Sequence, residues 1–407
     1  MAHRHLFFRH RRYSMHSTLS RLAALAILCA LTVAVYQLGL LENGRPLAFS
    51  LLAGTAFGIV MQRGRFCFLC NFRDFIDGRR SDGVVAILVA LLAGVVFYQV
   101  VTAAWMPVPQ PGRLPPNAHI GPVGWILALA ASVFGLGAAL SGSCLSGHFY
   151  RLGEGAFGSV LAIAGAGLGF LLAFLSWNFL YTVSIFDDLP IWLPHHLGYG
   201  PALLVACTVL VILILLVLFF DKTEPASSTA ATASRLQQAL RSIFVERWPP
   251  VITGVLVAAI SAFSYFRVAP LGVTAELGSI VRTTGAAAGW VPETLAGLDT
   301  VRGCISAVKT TILSPNGVFV LGLMFASLAS ALSAGKFQPA WPSAGGLATR
   351  FAGGVLMGWG GMTALGCTIG VLLSGIHAGA LSGWVFLVFC GLGAFAGLFL
   401  KRRFALP

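Results

Sequence analysis

Charged residues are scarce in this chain of 407 residues: together Asp, Glu, Lys and Arg make up 10% of it, whereas hydrophobic residues make up 57%. Soluble domains carry about 25% charged residues, and the mean hydropathy here is +0.87. Acidic residues are the scarcer sign, with 13 Asp and Glu against 26 Lys and Arg. These shortages exclude a water-soluble globular protein. Because the arginines cluster beside apolar runs, the excess positive charge indicates orientation in a membrane rather than binding of nucleic acid.

Apolar runs long enough to cross a bilayer recur along the chain and predict an all-α polytopic membrane protein with about ten spans. The predicted spans lie near residues 21–41, 47–61, 84–105, 123–140, 156–181, 201–220, 251–266, 317–333, 351–365 and 380–400. Basic residues precede the first span and follow the last. With an even number of spans, the positive-inside rule places both termini in the cytoplasm.

Two blocks of sequence match at a constant offset, 135–147 against 358–370, and each reads Gly-x-Gly followed by Cys-x-x-Gly. The charge pattern makes the spans before the two cysteines cross in opposite directions. Inverted repeats of this kind place a site at the bilayer midplane in many transporters. The predicted units are a basic tail with the first anchor (1–46), the first repeat (47–181), an outer loop with an extra span (182–220), a cytoplasmic linker (221–248), the second repeat (249–400) and a tail (401–407).

Each block contains a break in an otherwise apolar helix, Gly-Ser-Cys at 142–144 and Gly-Cys-Thr at 366–368. Non-helical backbone at this depth is tolerated where it is buried or lines a wet cavity, and a helix that restarts there would point its N–H groups at an anion. Neither break contains Lys or Arg, so we expect little fixed positive charge and a soft anion as ligand. The alternative is a pair of glycine-mediated helix crossings with incidental cysteine. The candidate pathway residues at the breaks are Ser143, Cys144, Gly366, Cys367 and Thr368.

The chain has eight cysteines, and a disulfide scaffold is excluded because they lie in or beside apolar segments. Three of them are interpreted as ordinary helix-core residues: Cys29, Cys207 and Cys390. Cys67 and Cys70 form a Cys-x-x-Cys pair that suits interfacial packing, a redox pair or half a metal site, but no second pair with zinc-like spacing accompanies it. No metal or cofactor is therefore expected.

The segment Gln-Arg-Gly-Arg-Phe-Cys-Phe at 62–68, together with the two breaks, resembles the YeeE/YedE family of bacterial inner-membrane sulfur transporters, which includes thiosulfate importers. The similarity in motif order and spacing covers about 47–400. It implies a pseudo-symmetric helical transporter in which the thiols of Cys67, Cys144 and Cys367 relay the anion by hydrogen bonds. It also implies a cytoplasmic sulfur-carrier or sulfurtransferase partner. Secondary pathway candidates are Gln62, Arg65 and Cys304.

The leading hypothesis is therefore uptake of thiosulfate or a related sulfur-containing anion. One alternative is selenium- or sulfite-related transport by a YedE-type relative, and another is a membrane sulfurtransferase or oxidoreductase that uses Cys67 and Cys70. No P-loop is present, which disfavours an ATP-driven pump. Residues 276–316 are left open as a re-entrant or extracellular element.

Overall fold

Apolar runs separated by polar or glycine-bearing turns fold as helices in the computed structural model, which describes residues 3–110, 112–222, 242, 245–298, 306–309, 311 and 313–406. The first set of helices is α1 (His3–Leu40), α2 (Arg45–Gly64), α3 (Phe68–Gly78), α4 (Asp82–Trp105), α5 (Trp125–Ser141), α6 (Leu145–Gly153), α7 (Gly158–Leu180), α8 (Leu193–Leu197) and α9 (Tyr199–Phe219). After the linker come α10 (Pro250–Arg267), α11 (Val273–Ala287), α12 (Pro315–Ser333), α13 (Ala344–Thr363), α14 (Thr368–His377) and α15 (Leu381–Arg403).

Within the described residues, 9 helical segments are long and apolar enough to cross a membrane, or up to 10 if the bent pair α13 and α14 is one span. The prediction of an all-α polytopic membrane protein with about ten spans is confirmed. The first helix differs from its prediction, because it begins at His3 and includes the stretch interpreted as a tail. No glycine or proline interrupts the chain before Gly39, so nothing in the basic stretch ends the helix.

Helices α2 to α7 and α10 to α15 form two sets with the same order of long and short members, as far as the described residues go. The most extensive contacts between described helices include two pairs, α7 to α13 with α5 to α15 and α2 to α12 with α4 to α10, and α5 also packs against its own counterpart α13. Exchanging each helix for its counterpart in the other set turns one contact of each pair into the other. These are the contacts that a two-fold relation between the sets would produce, as expected for a repeat.

The two sets also cross in opposite directions. Each spanning helix of the second set comes five candidate spans after its counterpart in the described part of the chain. An odd number of crossings reverses the direction of the chain. The resulting arrangement is the inverted one that the charge pattern predicts.

The second short helix is one residue longer than its counterpart. Cys144 precedes α6 and Cys367 precedes α14 at equivalent positions. The left-handed glycine that follows α6 is Gly155 (φ +94°), 11 residues after Cys144, whereas the one that follows α14 is Gly379 (φ +77°), 12 residues after Cys367. The extra residue is accommodated by a π-helical turn over Thr368–Ser374. A π-turn is the usual result of a single insertion into a helix and often occurs at functional sites.

Glycine allows the long helices to approach closely at the Gly-x-Gly of each block. A Cβ atom on Gly135 would lie 2.1 Å from the carbonyl oxygen of Cys390, and one on Gly358 would lie 2.1 Å from that of Ala166. Close approach of this kind is what small residues provide in membrane helices. The glycines thus bring α5 and α13 against α15 and α7, and this packing holds the two breaks in place.

The prediction that three cysteines lie in the helix core is confirmed only for Cys390, which is buried. Cys29 is exposed on α1 and Cys207 is half-buried on α9. These two helices lie at the edge of the bundle, where an apolar sequence faces lipid instead of protein. Hydropathy cannot distinguish the two environments, since lipid tails are as apolar as a protein core.

The predicted linker 221–248 lies largely outside the described residues, but both of its ends contact the turn between α3 and α4. The Ser81 hydroxyl donates to Asp221 Oδ2 at 2.6 Å. On the other side, Arg247 Nη1 lies 3.7 Å from Asp82 Oδ2. The chain therefore leaves and re-enters the bundle beside the short helix α3.

Candidate functional site

Each of the three predicted pathway cysteines is the residue immediately before a short helix. Cys67 precedes α3, Cys144 precedes α6 and Cys367 precedes α14, and all three have extended backbone conformations typical of an N-cap. The sulfur of Cys67 accepts from the Cys70 amide at 3.5 Å. In the described part of the chain, no side chain caps α6 or α14. The positive ends of three short helices are thus marked by thiols.

The chain can break before α6 and α14 because two glycines adopt conformations that side chains disfavour. Gly142 has φ +89° and Gly366 has φ +154°. Leu365 adds a second left-handed residue, with φ +61°, just before the second break. Left-handed backbone is nearly free of cost for glycine alone, so the two sequence breaks become sharp corners at which a new helix begins.

The structure brings Cys67, Ser143 and Cys144 together in one buried cluster. The two sulfur atoms lie 3.7 Å apart, and Cys67 Sγ lies 3.3 Å from Ser143 Oγ. The Ser146 hydroxyl is 3.5 Å from Cys144 Sγ. A Cβ atom on Gly147 would lie 2.2 Å from Ser143 Oγ, so a glycine leaves the space that the cluster occupies. Sequence spacing does not predict this cluster, because α3 and α6 are far apart in the chain.

A cavity of about 80 Å³ borders a residue of each break. Cys144 and Thr368 both line it, together with apolar walls that include Phe68, Phe134, Leu372 and Cys390. The buried Thr368 hydroxyl has no hydrogen-bond partner among the described residues. Cys367, the adjacent residue, is also buried, with 1% of its surface exposed. The cavity has room for several water molecules, and few polar groups reach it.

Charge approaches the first break more closely than the sequence suggests. Arg151 Nη1 donates to the carbonyl oxygen of Gly142 at 3.1 Å. The prediction of little fixed positive charge was based on the break residues alone and is wrong on the α6 side. The guanidinium comes from the last turn of α6, and because side chains lean toward the N-terminus of their helix, it reaches back to the break.

A buried histidine supports the same break. His148 lies 3.1 Å through Nε2 from the Ser141 hydroxyl and 3.2 Å through Nδ1 from the Ser159 hydroxyl. Ser141 in turn donates to the carbonyl oxygen of Ser143 at 3.1 Å. Because the single hydroxyl proton of Ser141 is used in that bond, the Ser141 oxygen accepts from Nε2–H of a neutral imidazole, and Nδ1 accepts from the Ser159 hydroxyl. These contacts are those of a structural brace for the break.

Gln62 and Arg65 do not join the thiol cluster. The Gln62 amide donates to Glu154 Oε1 at 3.2 Å and accepts from the Ser330 hydroxyl at 2.9 Å, so it links α2, α12 and the end of α6. Burial raises the pKa of the Glu154 carboxyl, while the Gln62 amide and Arg151 oppose the shift. Arg65 is exposed at the end of α2, with φ +50°. Both residues lie at the end of the bundle that carries the basic loops.

A second, smaller cavity of about 10 Å³ borders the second break at Leu365, and His119, Asp188, Thr363 and Ser382 are among its other lining residues. Burial lowers the pKa of His119 from 6.5 to about 4. The folded protein therefore takes up a proton less readily than the unfolded chain does.

We expect the free energy of unfolding to fall as the pH drops from 6.5 toward about 4, because the unfolded chain binds a proton at His119 that the folded chain excludes. The loss attributable to His119 is up to about 3 kcal/mol. Urea unfolding in detergent at pH 7.5 and pH 4.5 measures it, with His119→Gln as the control that lacks the titrating group. If both proteins lose equal stability, the assignment to His119 is wrong.

The remaining predicted site residue, Cys304, lies outside the described residues. Residues 276–316 include part of α11, which carries Glu276 bonded to Lys309 and, at 2.5 Å, to the hydroxyl of Ser314. In the part of this segment that the structure describes, a polar network therefore joins α11 to the start of α12.

Broken helices that meet from two oppositely directed repeats define a class of protein, the membrane transporter with a site between interrupted helices. The profile of the sulphur transport family matches residues 63–396. The chain therefore belongs to this family, the YeeE/YedE family that the motifs predict.

Two relatives align with most of the chain, and a third aligns with a shorter part of it. The chain is 27% identical over 362 residues to the thiosulfate transporter TsuA of Escherichia coli (strain K12), with 86% of this chain and 93% of that protein covered. It is 28% identical over 363 residues to the thiosulfate transporter TsuA of Spirochaeta thermophila (strain ATCC 700085 / DSM 6578 / Z-1203), with 84% and 95% covered. A shorter match, 31% identical over 114 residues, covers 28% of this chain and 26% of the probable transporter YedE of Escherichia coli (strain K12).

Proposed function

We propose that this protein imports thiosulfate, or a closely related anion with a terminal sulfur, through a pathway that runs between the two breaks. The observation that carries the proposal is the position of Cys67, Cys144 and Cys367, each directly before a short helix. Family membership and the two TsuA relatives support the same substrate class. Transport rather than catalysis is the activity that the family implies.

Moving a dianion through a membrane requires that its lost hydration be replaced without binding it too tightly. Thiols supply weak S–H donors and soft sulfur atoms that suit a terminal sulfur. The N-terminal N–H groups of α6 and α14 supply partial positive charge for the oxygens. A series of such weak sites lowers the desolvation cost and still allows the anion to leave.

We propose the order Cys367, Cys144 and Cys67 for an anion that enters from outside. The cavity between Thr368 and Cys144 is the passage from the second break to the first. The sulfur atoms of Cys144 and Cys67 lie 3.7 Å apart, close enough to hand over one terminal sulfur by a small displacement. The Ser143 and Thr368 hydroxyls and the backbone at Gly366 assist, whereas Gln62 and Arg65 act only near the inner end.

The proposed units are the repeats 47–181 and 249–400, with 1–46, 182–220, 221–248 and 401–407 as additions. The membrane is the bacterial inner membrane, with both termini in the cytoplasm, because the basic segments lie at both ends of the chain. A reporter that is active only in the periplasm can be fused after residue 407, and activity of this fusion would contradict the proposed orientation. A cytoplasmic sulfur-carrier or sulfurtransferase protein would receive the anion.

Uptake of radiolabelled thiosulfate into proteoliposomes tests the function. We expect saturable uptake that unlabelled thiosulfate abolishes and that sulfate, which lacks the terminal sulfur, inhibits at least tenfold more weakly. Sulfite and selenite serve as the other competitors. Stronger inhibition by either of these would favour the YedE-type alternative, and absence of thiosulfate uptake would refute the proposal.

A further inference from the structure

A third thiol, that of Cys70, lies beside the cluster of Cys67, Ser143 and Cys144. Cys70 Sγ is 3.9 Å from the carbonyl oxygen of Gly142 and 4.0 Å from Ser143 Oγ. Its side chain is only partly buried, whereas Cys67 and Cys144 are fully enclosed. Cys70 therefore lies where the buried cluster meets the more open side of α3.

The Arg151 guanidinium contacts the same carbonyl oxygen of Gly142, at 3.1 Å. A guanidinium has five N–H donors in a planar fork, and this bond uses one of them. The Cys70 thiol and the Arg151 guanidinium thus contact the same carbonyl oxygen. Both lie on the side of the break that faces the basic loops. A terminal sulfur would suit the thiol, and the oxygens of the same anion would suit the fork.

Neither group has an equivalent in the second repeat. Cys70 is the third residue of α3, and the third residue of α11 is Ala275. Because α14 has one inserted residue, Arg151 in α6 corresponds to Ser374 or Gly375 in α14, and neither residue is charged. The two-fold relation would otherwise make the inner and outer halves alike. Cys70 and Arg151 therefore make the inner half more attractive to an anion than the outer half.

The surrounding charges reinforce this difference. Arg73, on the same helix as Cys70, is already paired with Asp74 at 3.0 Å. Glu154 is the carboxylate nearest the end of α6, and the Gln62 amide holds it at 3.2 Å. Arg151 makes no ion pair with a carboxylate in the part of the chain that the structure describes, although Glu154 acts on it at longer range, so its guanidinium is available to a ligand beside the thiol.

We propose that Cys70 and Arg151 form an exit site, the last binding position of the sulfur-containing anion before it enters the cytoplasm. The proposal rests on the proposed function and extends it by a station that the three-cysteine relay does not include. The ligand class is a small oxoanion with a terminal sulfur. The site would bind an anion from the inner face and would leave entry from the outer face unaffected.

Transport measured separately from each face tests the exit site. Thiosulfate exchange in inside-out and right-side-out membrane vesicles gives the half-saturating concentration at the inner and outer faces. For Cys70→Ala and Arg151→Gln, we expect the half-saturating thiosulfate concentration to rise about tenfold at the inner face and to change less than twofold at the outer face. Arg151→Lys should recover part of the inner affinity, because it keeps the charge but loses the planar fork.

Arg350→Gln is the matched control, since Arg350 is a cation on α13 near Arg151 that makes no hydrogen bond to Gly142 or Cys70 in the part of the chain that the structure describes. If Arg350→Gln raises the half-saturating thiosulfate concentration at the inner face as much as Arg151→Gln does, the effect comes from the overall positive potential, and the exit site is refuted. Equal losses of affinity at both faces would also refute it. Absence of thiosulfate exchange in the unmodified protein would instead refute the proposed function.

Alkylation of Cys70 in the unmodified protein gives a second measurement that does not depend on folding of a variant. A membrane-impermeant maleimide applied to inside-out vesicles should label Cys70, as read by peptide mass spectrometry. Thiosulfate in the same solution should slow the labelling at least threefold, whereas sulfate at equal ionic strength should not. Labelling that thiosulfate leaves unchanged would overturn the exit site.

Discussion

Thiosulfate uptake is expected to fall about 10- to 100-fold when Cys144 or Cys367 is replaced by alanine. Each replacement removes a donor to a charged ligand at a helix N-terminus, a contact that contributes about 1.5–3 kcal/mol. At Cys144 the loss also leaves Cys67 without the sulfur atom that lies 3.7 Å from its own. The initial rate of uptake into proteoliposomes, normalised to the amount of folded protein, measures the effect.

Cys207→Ala is the control for this experiment, because Cys207 is half-buried on the peripheral helix α9. We expect it to transport at the rate of the unmodified protein. Fluorescence-detected gel filtration shows whether each variant is folded. Wild-type uptake by both Cys144→Ala and Cys367→Ala would exclude a thiol relay, even if the protein proved to be a thiosulfate transporter.

The largest loss of stability is expected for Gly358→Ala. The new Cβ atom would lie 2.1 Å from the carbonyl oxygen of Ala166, so α13 and α7 would have to separate along the most extensive contact between the described helices. Overpacking of a well-packed interface costs about 3 kcal/mol. Thermal unfolding in detergent should therefore show a lower midpoint and a smaller folded fraction.

The same substitution at Gly391 is the matched control. Gly391 is also within a long helix, α15, but a Cβ atom there would meet nothing within 4 Å. Alanine favours the helix by about 1 kcal/mol over glycine, so Gly391→Ala should be neutral or slightly stabilising. If the two variants unfold at the same temperature, close helix approach at Gly358 does not contribute to stability.

Much of the helical architecture was predictable because it follows from local composition. Hydropathy alone identifies the spans, since a helix of about 20 apolar residues matches the thickness of the hydrocarbon core of a bilayer. The repeat was visible as well, because Gly-x-Gly and Cys-x-x-Gly recur at one offset. The π-turn over Thr368–Ser374 was not visible, since the match ends at Gly370, before the inserted residue shifts the register.

The candidate site was predictable in its residue types and much less so in its contacts. Cys144 and Cys367 follow from the breaks, and Cys67 from the resemblance to a family. The contact between Cys67 and Ser143 depends on how α3 packs against the first break, for which the sequence holds no local signal. Interfacial packing was one of the interpretations of Cys70, yet its sulfur faces the break. Arg151 donates to the carbonyl oxygen of Gly142, a contact that the residues of the break do not predict.

By itself, the sequence determined that this is a polytopic membrane protein, that it contains two matching blocks, and that each block has a cysteine at a break. These properties depend on hydrophobic content, charge and short motifs, which are local and additive. Only the tertiary structure decided which thiols meet, which cysteines face lipid, and that Arg151 reaches the first break. Those outcomes depend on the crossings of helices distant in sequence, where a glycine or one inserted residue changes which side chains face each other.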